Sequence, residues 1–194
     1  MSENAEKLAA LREACLSCQA CALGATRTNL VFGTGSPDAR LMFIGEAPGE
    51  REDATGIPFV GAAGQLLDRY LFAVGIPRSD VYIANILKCR PPRNRDPLPE
   101  EGDACIAHLR AQVRIIRPAI IVCLGRISAQ RLIKPDFRIT REHGIWFSRG
   151  AFEMCAVYHP SALLHDPSKR EDMLEDMRSV AEKYRAIVQA SPSI

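Results

Sequence analysis

LMFIGEAPGEREDATGIPFVGAAGQLL, residues 41 to 67, opens on four consecutive apolar residues and closes on a helical pattern that continues to about residue 74. Leu41 to Ile44 reads as a short strand covered on both faces, because it is uniformly apolar and is followed at once by turn-forming residues. From Gly45 to Leu67 the segment carries five glycines, two prolines and four acids, more glycine than a plain connection needs. Glycine lets a backbone approach a ligand closely and adopt positive φ, and the helix that follows offers free N–H groups to an anion.

The same alternation recurs outward along the chain. Val81 to Leu87, Ala119 to Leu124 and Met154 to Tyr158 are further apolar runs. Helical patterns cover about 61–74, 98–116 and 126–133, and a last amphipathic helix carries Met173, Met177, Val180, Tyr184 and Ile187 on one face. Strands alternating with helices predict an α/β single domain over residues 1–194, with a central, mainly parallel four-stranded sheet flanked by helices. Ile139 to Phe152 is less regular and reads as a short antiparallel edge hairpin around Arg149-Gly150. At the amino terminus Leu8, Leu11, Cys15 and Cys18 share the spacing of one helical face.

With 194 residues and 47% hydrophobic content, the chain is long enough to bury a core without disulfide staples and is neither disordered nor collagenous. A formal net charge of +2 permits nucleic acid without arguing for it. The first twenty residues mix acids with apolar residues and lack the uninterrupted hydrophobic region of a secretory signal, so a cytoplasmic, reducing location is expected. No apolar run is long enough to cross a bilayer, and no membrane association is expected. Seven cysteines, an odd number, favour metal binding or buried thiols over a disulfide framework.

In open α/β sheets ligands gather beyond the carboxyl ends of the strands. Those positions hold GEAPGE (45–50), NILKCRPPRNR (85–95), Gly125-Arg126 and His159-Pro160-Ser161. Glu46 and Glu52 are the carboxylates best placed for chemistry. Phe59, between Pro58 and Val60, is either a core plug or a stacking platform. Lys88, Arg90, Arg93 and Arg95 place four positive charges in eight residues with no acid among them. A charge run is commonly a solvated face, but one at the ligand edge points to phosphate contact. Cys18-x-x-Cys21 with Cys89 and Cys105 suits either zinc or an iron–sulfur cluster, which spacing alone does not separate. Cys15 fits packing with Leu8 and Leu11 better than ligation. Cys123 and Cys155 fall in strands as small buried hydrophobes.

Taken in order, these motifs resemble the family 4 uracil-DNA glycosylases, the iron–sulfur branch of the uracil-DNA glycosylase superfamily. The resemblance runs from Cys18 to about Asp176. It rests on Cys18-x-x-Cys21-x-Leu23 with Arg27-Thr28, on GEAPGEREDATGIPFVGAAGQLL, on NILKCRPPRNR with Cys105, and on HPSALL (159–164). It implies a three-layer sandwich and a monomeric base-excision repair enzyme. Such an enzyme hydrolyses the N-glycosidic bond of deoxyuridine in single- or double-stranded DNA, releasing uracil and leaving an abasic site.

By the same resemblance Cys18, Cys21, Cys89 and Cys105 hold a [4Fe-4S] cluster of structural importance. Gly45, Ala47, Pro48 and Gly49 form the pocket turn, Phe59 stacks on the extruded uracil, Asn85 reads its pyrimidine edge and His159 assists base departure. Ala47 stands where family 1 enzymes have a water-activating aspartate, so that task falls to Glu46 or Glu52. Lys88, Arg90, Arg93 and Arg95 are expected to meet DNA. Ser161 with Leu163 or Leu164 matches the region that wedges into the duplex. The loop after Asn85 lacks the Lys-Arg-Arg-Ile-His insertion of relatives that bond covalently to DNA, so turnover is expected.

Overall fold

The computed structural model describes residues 2–190, so the outermost positions of the domain expected over 1–194 lie outside the described residues. The strands are β1 (Thr34–Gly35), β2 (Leu41–Gly45), β3 (Val81–Asn85), β4 (Ile120–Leu124), β5 (Phe147–Arg149) and β6 (Phe152–Val157). The helices are α1 (Glu3–Leu16), α2 (Leu23–Thr26), α3 (Glu50–Thr55), α4 (Ala62–Ala73), α5 (Pro99–Ile116), α6 (Arg126–Leu132), α7 (Ile139–Glu142), α8 (Pro160–His165) and α9 (Arg170–Ala190).

All six strands form one sheet in the order β1-β3-β2-β4-β6-β5. The inner strands β3, β2, β4 and β6 are parallel and are the four apolar runs of the sequence. The sheet is wider than the four strands expected, because β1 and β5 add antiparallel edges. β5 is the expected hairpin around Arg149-Gly150, with Gly150 at φ +59° to make the tight turn. β1 has two residues and no apolar run, so nothing in hydrophobic periodicity announces it.

Period-two alternation divides each inner strand between two cores. Met42 and Ile44 face α1, α5 and α6 through Leu8, Leu109 and Ala129. Leu41 and Phe43 face α4, α8 and α9 through Leu67, Leu163, Met173 and Met177. Burial on both faces accounts for the unbroken apolar reading of β2 and β4. The three-layer α/β arrangement agrees with the sequence expectation. α9 turns Met173, Met177 and Val180 into the second core as its spacing predicted. α1 buries Leu8 and Cys15 but stops at Leu16, so Cys18 lies beyond the helix instead of on its face.

After the edge strand β1, the parallel part of the sheet begins at β2, moves to β3 on one side, then crosses to β4 on the other. β2 is therefore the topological switch point, and the crevice beyond its carboxyl end is where an open α/β sheet takes a ligand. α3 and α8, which the sequence pattern also hides, both lie at this edge.

Candidate active site

Beyond the carboxyl ends of β2, β3 and β6 lies a cavity of about 210 Å³, lined among others by Glu46, Pro48, Glu52, Phe59, Asn85 and His159. Ala47, Gly49, Arg95 and Ser161 also face it. Residues from three of the four strand-end segments thus meet in one place, and Gly125-Arg126 lines an adjoining opening instead.

Asn85 closes β3 opposite Gly45 of β2. A Cβ on Gly45 would stand 2.4 Å from Asn85 Oδ1 and 2.7 Å from Phe59 Cζ, so only glycine lets the amide and the ring approach this closely. Asn85 is 2% exposed, and its Oδ1 is a buried acceptor with no partner among the described residues. An unsatisfied buried polar atom costs about 1–3 kcal/mol, a cost that a ligand donor would remove.

Phe59 is buried and also forms a wall of the cavity. Its backbone holds φ +55°, a conformation that non-glycine residues rarely take. Three contacts hold it there. Glu52 Oε1 accepts from Val60 N–H at 2.9 Å and Gly61 N–H at 2.7 Å. Arg78, paired with Asp68 at 2.5 Å, donates to the Pro58 and Phe59 carbonyls. Gly64 lets α4 press on the same peptide, for a Cβ there would be 1.9 Å from the Phe59 carbonyl oxygen.

His159 caps the amino end of α8, with its ring centroid 5.8 Å from that of Phe59. Its Nδ1 accepts from Ser161 N–H at 3.2 Å and lies 2.6 Å from Ser161 Oγ. With Nδ1 engaged as acceptor, the neutral ring carries its proton on Nε2. Enclosure lowers the pKa of this histidine to about 4, with the Glu52 carboxylate opposing. At neutral pH it is an uncharged N–H donor.

The two candidate carboxylates separate clearly. Glu52 is committed to holding the Phe59 loop. Glu46 makes no side-chain hydrogen bond among the described residues, and its pKa is raised to about 7 by burial and by the nearby Asp96, with Arg126 opposing. Arg126, the first residue of α6, shares a second opening with Glu46 and His159 and pairs with Asp96 at 3.2 Å. Sequence reasoning noted Arg126 without giving it a role. It missed Asp53, a buried acid in α3 that accepts from Thr28 N–H at 3.0 Å and ties the pocket loop to the cysteine segment.

Two expected DNA-facing residues are corrected by burial. Lys88 is 1% exposed, so its ammonium cannot meet a phosphate; it donates inward instead, and burial lowers its pKa to about 8. Leu163 is wholly buried in the second core, whereas Leu164 on the same helix is 41% exposed. Of the remaining cations, Arg90 pairs with Glu50 at 3.6 Å. Arg95 makes a bidentate pair with the buried Glu101 at 2.9 and 2.6 Å. Arg93 is exposed, with no partner among the described residues.

Cys18, Cys21, Cys89 and Cys105 line one small cavity together with Arg27, Lys88 and His108. Arg27 Nη1 donates to Cys89 Sγ and the Lys88 backbone N–H to Cys105 Sγ, each at 3.3 Å. Among the described residues no three His, Cys, Asp or Glu side chains gather as one metal ion would require. Cys15 is buried against His108 Nδ1 at 3.2 Å. Cys123 and Cys155 are buried in β4 and β6.

A profile of the Uracil DNA glycosylase superfamily matches residues 32–182. A Type-4 uracil-DNA glycosylase of Archaeoglobus fulgidus is 46% identical over 175 residues, covering 86% of this chain and 88% of the relative. That of Sulfurisphaera tokodaii is 42% identical over 186 residues, 91% of this chain and 84% of the relative. That of Thermotoga maritima is 44% identical over 183 residues, 91% and 94% respectively.

Proposed function

The chain belongs to the uracil-DNA glycosylase superfamily, and we propose that it acts as a single-domain monomer in the cytoplasm, excising uracil from DNA through the cavity described above. It is a DNA-repair hydrolase that breaks the N-glycosidic bond of deoxyuridine, freeing uracil and leaving an abasic site. The observation that carries the site assignment is the orphaned Oδ1 of Asn85.

Uracil offers an N3–H donor and an O4 acceptor. Asn85 Oδ1 accepts from N3–H and its Nδ2 donates to O4. Cytosine presents an acceptor at N3 and a donor at N4, so both amide groups would oppose like partners, a mismatch that rejects a base strongly in a closed pocket. Gly45, Ala47, Pro48 and Gly49 form the turn over the base and Phe59 stacks on it. The energy of flipping, a few kcal/mol of unstacking, is offset partly by that stacking and by Leu164 entering the space the base leaves.

Rupture of the bond between C1′ and N1 leaves the bonding pair on uracil, with charge on O2. The Nε2–H of neutral His159 donates to O2 and stabilises that anion. Glu46, as carboxylate, orients water toward C1′ and takes its proton as the C1′–O bond forms. Support for Glu46 over Glu52 comes from their partners, since Glu52 is occupied by two backbone N–H groups. Glu52 then acts by holding Phe59. Arg90, Arg93, Arg95 and Ser161 face the DNA backbone, single- or double-stranded, and Lys88 and Leu163 are withdrawn from that surface.

Cys18, Cys21, Cys89 and Cys105 are the ligands we assign to a [4Fe-4S] cluster. The donor set fits: four free thiols face one cavity, two of them receive N–H donors that favour thiolate, and the Arg27 cation lies beside them. When bound, such a group supplies a brace between the amino-terminal segment and the Arg-rich loop. The hydrolysis itself needs no electron transfer.

The activity is tested by incubating the protein with an oligonucleotide carrying one uracil, cleaving abasic sites with alkali, and running thymine, cytosine and hypoxanthine controls. Cleavage confined to the uracil strand is expected. No cleavage at any base would sink the proposal.

A further inference from the structure

Lys88 sits between the thiol cavity and the base-reading asparagine, and nothing in the reaction so far uses it. Its backbone N–H donates to Cys105 Sγ at 3.3 Å. Its Nζ donates to the backbone carbonyl of Asn85 at 2.8 Å and to Gln112 Oε1 at 2.6 Å. Gln112 is in turn fixed from α5, because its Nε2 donates to Phe32 O at 2.9 Å and to Tyr82 Oη at 3.1 Å. The Asn85 carbonyl needs such a donor for a topological reason: β1 pairs only with Tyr82 and Ile83 of β3, so the outer side of β3 is uncovered where the strand ends.

A lysine buried to 1% exposure is an expensive way to fill space, since an ammonium loses its hydration and an apolar chain of similar volume would not. What the ammonium adds is direction. It grips the peptide that carries the Asn85 amide, while the same residue's backbone is anchored at a cysteine. Gly45 leaves no slack on the opposite side of that amide, where even a methyl group would collide with Oδ1.

We propose that Lys88 is a positioning residue for Asn85, holding the carboxyl end of β3 so that the amide meets uracil and making base reading depend on the loop that the thiol site anchors. The proposal rests on the reading of the site given above. It also accounts for a cation that the sequence places in a basic loop and the fold turns inward.

The test is a double-mutant cycle on the cluster-loaded protein, with Lys88→Met and Asn85→Ala singly and together, measured by single-turnover excision and by inhibition with free uracil. In the Asn85-containing protein Lys88→Met is expected to lower excision and weaken uracil inhibition by about tenfold or more, within the range of coupling between contacting residues. Iron content and visible absorption should stay as in the parent. In the Asn85→Ala background the same substitution should change excision by less than about twofold, because its route of action is gone. Equal losses in both backgrounds, or no loss in either, overturn the proposal. If Lys88→Met does not fold, Gln112→Leu enters the cycle in its place, with a smaller loss expected and the same non-additivity; additivity there overturns it equally. An inactive parent protein would instead overturn the glycosylase reading, so the two failures are distinct.

Discussion

Glu46 and Glu52 stand six positions apart in the sequence, yet the fold gives them different surroundings and different tasks. Glu52 is held by two backbone donors, whereas Glu46 has been left in a half-buried spot beside another acid, and its pKa rises to about 7. If Glu46 must be anionic to orient water, single-turnover excision should climb with pH along a limb centred near 7. His159, at about 4, stays neutral over the same range and adds no second break. Glu46→Gln should lower excision by roughly 10² to 10⁴, the usual contribution of one positioned acid–base group, and abolish the limb. A limb that survives the substitution would assign it to another group. Stability carries the reverse sign. A raised folded pKa means the native state binds more protons than the unfolded chain between the ordinary carboxylate value of 4.5 and about 7. Stability from this group is therefore full below 4.5 and is lost as pH rises through 7. Denaturant midpoints of Glu46→Gln should be flatter over that window than those of the parent.

Elements differ in how plainly the sequence announces them. The four inner strands are legible because burial on both faces leaves only apolar side chains, and α9 because its apolar positions recur at helical spacing. α3 and α8 are not, since each is six residues long and is held by loop contacts instead of an apolar stripe. The site residues were legible as types at strand ends; that Lys88 turns inward and Leu163 fills the core depends on which face of a short segment the tertiary packing selects. The glycines of α4 and α5 make the contrast testable. Gly64→Ala would drive a Cβ into the Phe59 peptide at 1.9 Å, and backbone on both sides leaves nothing flexible to yield. A loss of about 1–3 kcal/mol is expected from such overpacking, together with reduced excision as Phe59 moves. Gly102→Ala meets only the Arg131 side chain, at 3.6 Å. It should be neutral or stabilise α5 by up to about 1 kcal/mol through helix propensity. On α8, Leu164→Ala should slow excision from duplex more than from single-stranded DNA, whereas Leu163→Ala should cost about 2–5 kcal/mol of stability as a core cavity. Equal effects of Leu164→Ala on both substrates would remove it from the wedge.

For the whole molecule, affinity for a polyanion must come from the placement of charge, since the net charge is only +2. The Arg-rich loop is the chief local concentration of cations at the pocket edge, and two of its members already have acidic partners. Arg93 is the exposed exception. Arg93→Ala is therefore expected to weaken DNA binding evenly across sequences and to reduce the salt slope by about one counterion, while Arg95→Ala, which leaves Glu101 buried and unpaired, should chiefly destabilise the fold. The loop itself hangs between β3 and α5 and is tied to the amino-terminal segment through Cys89, Arg27 and the shared thiol cavity. If a cluster joins these segments, Cys89→Ala should lose bound iron and visible absorption, lower the melting temperature and weaken DNA binding together, because one contact organises all three. Cys123→Ala, inside β4 and remote from that cavity, should keep its iron while losing stability as a core truncation does. Full iron content in Cys89→Ala would break the assignment of the ligand set. Loss of iron with unchanged DNA affinity would keep the ligands but show that the Arg-rich loop holds its shape from Glu50 and Glu101 alone.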